Sequence, residues 1–234
     1  MTALYRLLLR NQATTGRVLA LCGLGLVGVL LGVAIGASTA ADPLDEGTIL
    51  ISTFGLSLFV PVTSLVLAAT VLGEPNEDGT LVYLWLRPIA RWRIVAVALA
   101  SSLTVVVPVA VMPLALAAAL TGGGAELVTA TVASVALAAV AYTAVFTLLG
   151  LRVQRALVWG LAYILVWEGF VARAGSAASQ LAIRSHTRSV LTLLADGPER
   201  LADVTMATGV TVPLLAAAAA VALTVRRLST QDVR

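Results

Sequence analysis

Ile94–Leu120 reads IVAVALASSLTVVVPVAVMPLALAAAL, and no residue in it carries a charge. A helix needs about 20 mostly apolar residues to cross some 30 Å of hydrocarbon. The stretch meets that length and predicts a membrane-spanning helix. Outward from it, five more stretches qualify, at roughly Val18–Ala40, Thr48–Leu72, Leu127–Leu151, Ala156–Ala172 and Thr208–Val225. Pro61, Pro108, Pro113 and Pro213 fall inside these spans, where neighbouring groups in a bundle satisfy the freed carbonyls. The expected fold is all-α: one domain over residues 1–234, a bundle of six transmembrane helices.

Composition agrees. Of 234 residues, 59% are apolar and 12% are charged, against just under half and roughly a quarter in a soluble domain. The mean hydropathy is +0.99. So much apolar surface needs lipid as its solvent. All 15 positive side chains are Arg, a bias that fits a GC-rich genome. Without Lys there is no phosphate-binding loop of the Walker A kind and no Schiff-base chemistry. Cys22 and His186 are the only residues of their types, which argues against disulfides and thiolate or imidazole metal centres. The chain is expected to be non-catalytic, with no metal and no nucleic-acid partner.

The arginines lie between apolar runs and read as topology signals. With a cytoplasmic N-terminus, Arg6, Arg10, Arg17, Arg87, Arg91, Arg93, Arg152, Arg155, Arg226, Arg227 and Arg234 all fall inside. Arg173, Arg184, Arg188 and Arg200 fall in one long outer loop, residues 173–207. Both termini are therefore expected in the cytoplasm. Ser38-Thr39-Ala40 could close a signal peptide, but the apolar stretch before it is longer than the 7–15 residues usual there.

Three segments outside the spans have character. Leu4, Leu7 and Leu8 recur at helical spacing beside Arg6 and Arg10, predicting an amphipathic helix along the inner membrane surface. In the outer loop, Ile183, Val190, Leu191 and Leu194 approximate a helical stripe that Asp196-Gly197-Pro198 stops. The longest inner loop, 73–93, reads GEPNEDGTLVYLWLRPIARWR. Pro75 suits a first helical turn, and Glu77 and Asp78 favour a helix N-terminus. Leu81, Leu84 and Trp85 share a face, and Pro88 disfavours helix at Arg87. The loop reads as a short helix with an acidic start, ahead of an interfacial anchor at Arg91-Trp92-Arg93.

That loop resembles the first cytoplasmic loop of the type-2 ATP-binding-cassette exporter permeases. In that family a Glu, a Gly-Thr-Leu, then a Pro and a basic residue lead into the third span. The matching positions are Glu74, Gly79, Thr80, Leu81, Pro88 and Arg91. The six-span layout, the N-terminal amphipathic helix and the long outer loop before the last span resemble the family along the whole chain. The chain departs from it at Ala96 and Ala98, where a Lys is common. The resemblance implies that the loop over residues 74–88 is a coupling helix, with Glu77, Asp78, Leu84, Trp85 and Arg87 among its contacts and Arg91 just beyond it. The helix would dock on a separate ATPase subunit that binds ATP and Mg. It further implies two paired permease copies, identical or related, multi-pass in the plasma (inner) membrane and surrounded by its lipids. Without the resemblance, the loop also reads as a solvated connector skimming the membrane.

Within the spans, Glu168 is the only embedded acid; beside Trp167 it is placed near the outer end of span five, as an interfacial group or a transport site. Ser52, Thr53, Ser57, Thr63 and Ser64 of span two read as helix-packing residues, and span five presents Trp159, Tyr163 and Trp167. The resemblance makes Ser57, Thr63, Ser64, Trp159, Tyr163 and Glu168 possible pathway residues. His186 reads as a surface residue and Gly122-Gly123-Gly124 as a tight turn. The low polarity of the spans points to a hydrophobic or amphipathic exported cargo. The alternative is a secondary transporter or channel, which usually shows broken helices or ionisable residues near the midplane; the sequence has no clear midplane charge. An intramembrane enzyme would need clustered catalytic groups, also not found, and a purely structural or sensory subunit is the remaining class.

Overall fold

The computed structural model of the chain describes residues 2–38, 42–79, 90–169, 180, 182–198 and 201–230, and every regular element among them is helical. In chain order these are α1 (Thr2–Gln12), α2 (Thr15–Ala37), α3 (Pro43–Glu77), α4 (Arg91–Leu120), α5 (Gly124–Arg152), α6 (Ala156–Glu168), α7 (Ile183–Leu194) and α8 (Met206–Thr230). Five of them, α2, α3, α4, α5 and α8, are long and apolar enough to cross a membrane. The stretch predicted over Ala156–Ala172 contributes the shorter apolar helix α6, and residues 170–179 lie outside those described.

α5 is the axle of the bundle. Its buried face runs from Leu127 to Leu151 and meets α3, α4, α7 and α8. In lipid, helices associate through close packing rather than water exclusion, so small residues mark the contacts. A Cβ on Gly150 would lie 2.1 Å from the Ala69 carbonyl oxygen of α3, and one on Gly32 of α2 would lie 2.5 Å from that of Ala117 on α4. Between these contacts Ile51, Leu56, Phe59, Leu67, Leu114, Tyr142 and Phe146 fill a continuous core.

Among the described residues, the arginines other than Arg184 and Arg188 gather at one end. There Leu8 of α1 joins Val71, Leu72, Ile94, Val95, Leu151 and Leu228 from α3, α4, α5 and α8 in one buried cluster. Arg152 of α5 lies beside Arg226 and Arg227 of α8. We call this the basic end. α1 lies against the lower part of α4: Tyr5 donates to Thr104 Oγ1 (2.9 Å), and Ser102 donates to Gln12 Oε1 (2.9 Å). The predicted leucine stripe therefore divides: Leu8 is buried at 2% exposure, while Leu7 faces outward at 63%.

α3 begins on Asp42, whose carboxylate accepts the Leu44 and Asp45 N–H groups, with Pro43 in the first turn. Its middle, Ile51–Phe59, is π-helical. Pro61 follows at once; it lacks an N–H and its ring crowds the Ser57 carbonyl, and the wider turns ahead of it leave room. α3 then continues through Pro75 to Glu77, and Gly79 sits at φ +68° beyond its end. The sequence places a new helix start at Pro75. Instead Pro75 lies inside the last turns of α3, and Glu77 and Asp78 lie at its C-terminal end. The packing of Val71 and Leu72 carries the helix past the proline.

α7 forms where the stripe predicts, but inside the bundle. It packs on α5 and α8 and touches the π-helical part of α3, and His186, read as a surface residue, is 3% exposed. Its polar side chains tolerate burial because they bond back along the helix. Ser185 donates to Ala182 O (2.8 Å), Thr187 to Ile183 O (3.2 Å) and Ser189 to Ser185 O (2.9 Å), and His186 Nδ1 lies 3.0 Å from Ala182 O. The helix ends in a Schellman motif: Gly197 N–H donates to Thr192 O (3.0 Å), with Asp196 at φ 48°.

Candidate functional site

Two places concentrate polar chemistry. The first lies near the middle of the bundle. Glu168 ends α6, whose Tyr163–Glu168 segment is π-helical, and it is 0% exposed. Tyr142 Oη donates to Glu168 Oε2, and Tyr163 Oη donates to Oε1 at 3.2 Å. Phe146 stacks on Tyr142 (5.8 Å) and meets Tyr163 edge-on (6.3 Å), so the carboxylate sits under an aromatic cover. From the other side comes Arg184 of α7. Its Nη1 donates to Ser57 Oγ (3.2 Å), Ser57 Oγ donates to Ser52 O (2.8 Å), and the guanidinium lies near enough for its charge to act on Glu168. Both π-helical segments thus contribute: one carries Ser57, the other Tyr163 and Glu168. Such wide turns are rare and recur at functional sites.

The depth follows from helix rise. Tyr142 stands about 15 Å from the Arg152 end of α5 and about 27 Å from its Gly124 end, at 1.5 Å per residue. Glu168 is therefore not an outer-end group reaching headgroups, as its neighbour Trp167 suggested. It is buried near mid-depth because α6 starts at the basic end and stops about 18 Å up. Arg184, assigned to the outer loop, reaches down to it. An embedded acid read from the sequence and an arginine assigned to the outer loop are thus enclosed together inside the bundle.

The second place is the basic end of α3. Glu74 pairs with Arg17 at the start of α2 and accepts from Asn11 Nδ2 (3.2 Å). One turn on, Glu77 Oε1 accepts the Arg155 N–H at 2.6 Å, where the chain turns from α5 into α6 with Arg155 at φ 56°. Two carboxylates thus fasten the end of α3 to the α1–α2 corner and the α5–α6 corner. A cleft of about 260 Å³ opens beside them, walled by Thr70, Gly73, Arg155 and Leu157.

Of the coupling residues read from the sequence, Glu74 and Glu77 are engaged within the chain, Asp78 and Gly79 are exposed beyond α3, and Arg91 opens α4. Thr80, Leu81, Leu84, Trp85, Arg87 and Pro88 lie outside the described residues. Trp92 is exposed with the Arg93 guanidinium 5.3 Å above its ring. Of the pathway residues, Ser57, Tyr163 and Glu168 come together. Thr63 and Ser64 are buried with hydroxyls that have no hydrogen-bond partner among the described residues, and Trp159 points out of the bundle at 61% exposure. Tyr142 and Arg184 were missed. Tyr142 is the single Tyr of its span, a legible signal; the depth of Arg184 had none.

Among the described residues no group of three or more His, Cys, Asp or Glu side chains could hold a metal ion. The chain matches no protein-family model, and no curated protein matches it.

Proposed function

We propose that the chain is the membrane-spanning permease subunit of an ATP-driven exporter, energised by a separate ATPase that binds ATP and Mg. The observation that carries this reading is the fastening of the α3 end. α3 is the most buried of the long helices and connects the basic end to Ser57 without a break. A push on residues 80–89, where the sequence resembles a coupling helix, would reach α3 directly. Through Glu74 and Glu77 it would also move both neighbouring corners. A packed shaft held this way transmits displacement to mid-depth, where Arg184 bridges α7 to α3. Rocking of α3 against α7 would then alternate access to the polar cluster, with two permease copies, identical or related, enclosing the pathway for an amphipathic or hydrophobic cargo.

Parity supports six crossings. α5 and α8 end together at the basic end, so the chain between them must return to the far end, and α6 followed by α7 makes that return in two pieces. On the arginine distribution the basic end is cytoplasmic and both termini lie there, in the plasma (inner) membrane.

One observation favours a second reading, transport without ATP: a helix ending at a buried mid-depth Glu beside an Arg is the kind of site secondary transporters build. Co-purification separates the two. The exporter reading expects a Walker A-bearing ATPase to assemble with the chain and to be stimulated by it. Gly79→Pro and Leu81→Asp should abolish the stimulation in a folded permease. Full stimulation in both variants, or transport by the chain alone in vesicles, would favour the second reading.

A further inference from the structure

At the basic end, the seam between α5 and α8 opens into a cleft of about 340 Å³ lined by Leu148, Arg152, Leu223, Arg226, Arg227 and Thr230. Its two walls repeat one pattern. Leu148 and Arg152 on α5 are one turn apart, as are Leu223 and Arg227 on α8, so each wall has an apolar residue above and an arginine below. The arginines are exposed, and none forms an ion pair among the described residues. The helix C-termini supply at most about half a negative charge each, so among the described residues roughly two of the three positive charges have no compensating charge.

We propose that this cleft is a binding site for one anionic phospholipid of the leaflet at the basic end. Its phosphate would sit among Arg152, Arg226 and Arg227, and an acyl chain would run up over Leu148 and Leu223. Three features select this occupant. The guanidiniums form a cluster suited to a phosphate. The apolar strip lies on the side of the cleft nearer the bundle's middle, as a headgroup-and-chain ligand requires. Basic pockets between membrane helices at an interface are where anionic headgroups dock. A soluble phosphate would satisfy the arginines and leave the leucine strip uncovered. The inference does not depend on an ATPase partner.

The test is native mass spectrometry of the full chain released from nanodiscs of equimolar phosphatidylglycerol and phosphatidylcholine. The wild type should retain phosphatidylglycerol over phosphatidylcholine by about tenfold or more, and R152Q/R226Q/R227Q should bring the ratio near parity. L223W, which fills the cleft and keeps every charge, should also lower retention, while R6Q/R10Q/R93Q, exposed arginines elsewhere at the same end, should leave it unchanged. Excess glycerol 3-phosphate should not displace the lipid. The proposal is overturned if the triple cleft variant keeps the wild-type ratio, if L223W retains lipid fully, if R6Q/R10Q/R93Q lowers the ratio equally, or if glycerol 3-phosphate competes.

Discussion

Glu74 and Glu168 are both carboxylates that join helices, but they do so in different solvents. At the basic end, Glu74 and its partner Arg17 keep about a third of their side-chain surface exposed, and Glu77 is exposed as well. Pairs in such positions contribute about 0–1 kcal/mol, because water and salt screen them and both side chains lose freedom. Glu168 is wholly enclosed and held by two tyrosines, with Arg184 entering the same cluster through Ser57. There an acid or a base left alone costs several kcal/mol. The exposed fastenings can break and re-form during a working cycle at little cost in stability. The buried cluster must remain satisfied in every state or be resatisfied by whatever enters. In the proposed exporter the basic end would receive motion, and the buried cluster would sense it.

The largest effect should come from Arg184→Leu. Removing the cation beside Glu168 should lower the unfolding free energy in mixed micelles by about 3–5 kcal/mol. Adding Glu168→Gln to that variant should restore a substantial part, and the double-mutant cycle measures the coupling. Strict additivity would show that the two groups do not interact. Tyr142→Phe comes next, at about 2 kcal/mol, the loss of one hydrogen bond to a buried carboxylate, read in the same titration. The smallest stability effect should belong to Glu74→Gln, below about 1 kcal/mol, yet it should sharply reduce ATPase stimulation in the assembled complex. A Glu74→Gln protein that is strongly destabilised, or fully coupled, would erase the contrast between the two regions.

Much of this architecture was legible in the sequence. Apolar runs long enough to cross a bilayer predicted α2, α4, α5 and α8 closely, and most of the described arginines lie at one end. Gly28, Gly32 and Gly36 recur four apart in α2, a signal of close helix approach that the sequence reading passed over, and two of them abut the Ala117 and Leu120 carbonyls of α4. Elsewhere local signals misled. Pro75, Glu77 and Asp78 are the residues of a helix start, but tertiary packing at Val71 and Leu72 carries α3 through them. Periodicity found α7 without revealing what covers it, because Ser185, Thr187 and Ser189 satisfy their hydroxyls within the helix and leave no mark of burial in the pattern. Glu168 was misplaced because its depth depends on where α6 begins and on π-helical turns, neither of which hydropathy reports. Arg184 then went unrecognised as part of the same cluster, since that proximity exists only because α7 packs inside the bundle against α3 and α5.

The claim on which the account turns is that residues 80–89 receive their push from an ATPase. A photo-cross-linking side chain at position 81 of the full complex, assembled in lipid nanodiscs, tests it directly. The account predicts a covalent adduct between this chain and the ATPase subunit, lost when Glu74 and Glu77 are both replaced by Gln only if the fastening also positions the loop. An adduct with lipid alone, in a complex that contains the ATPase, would contradict it.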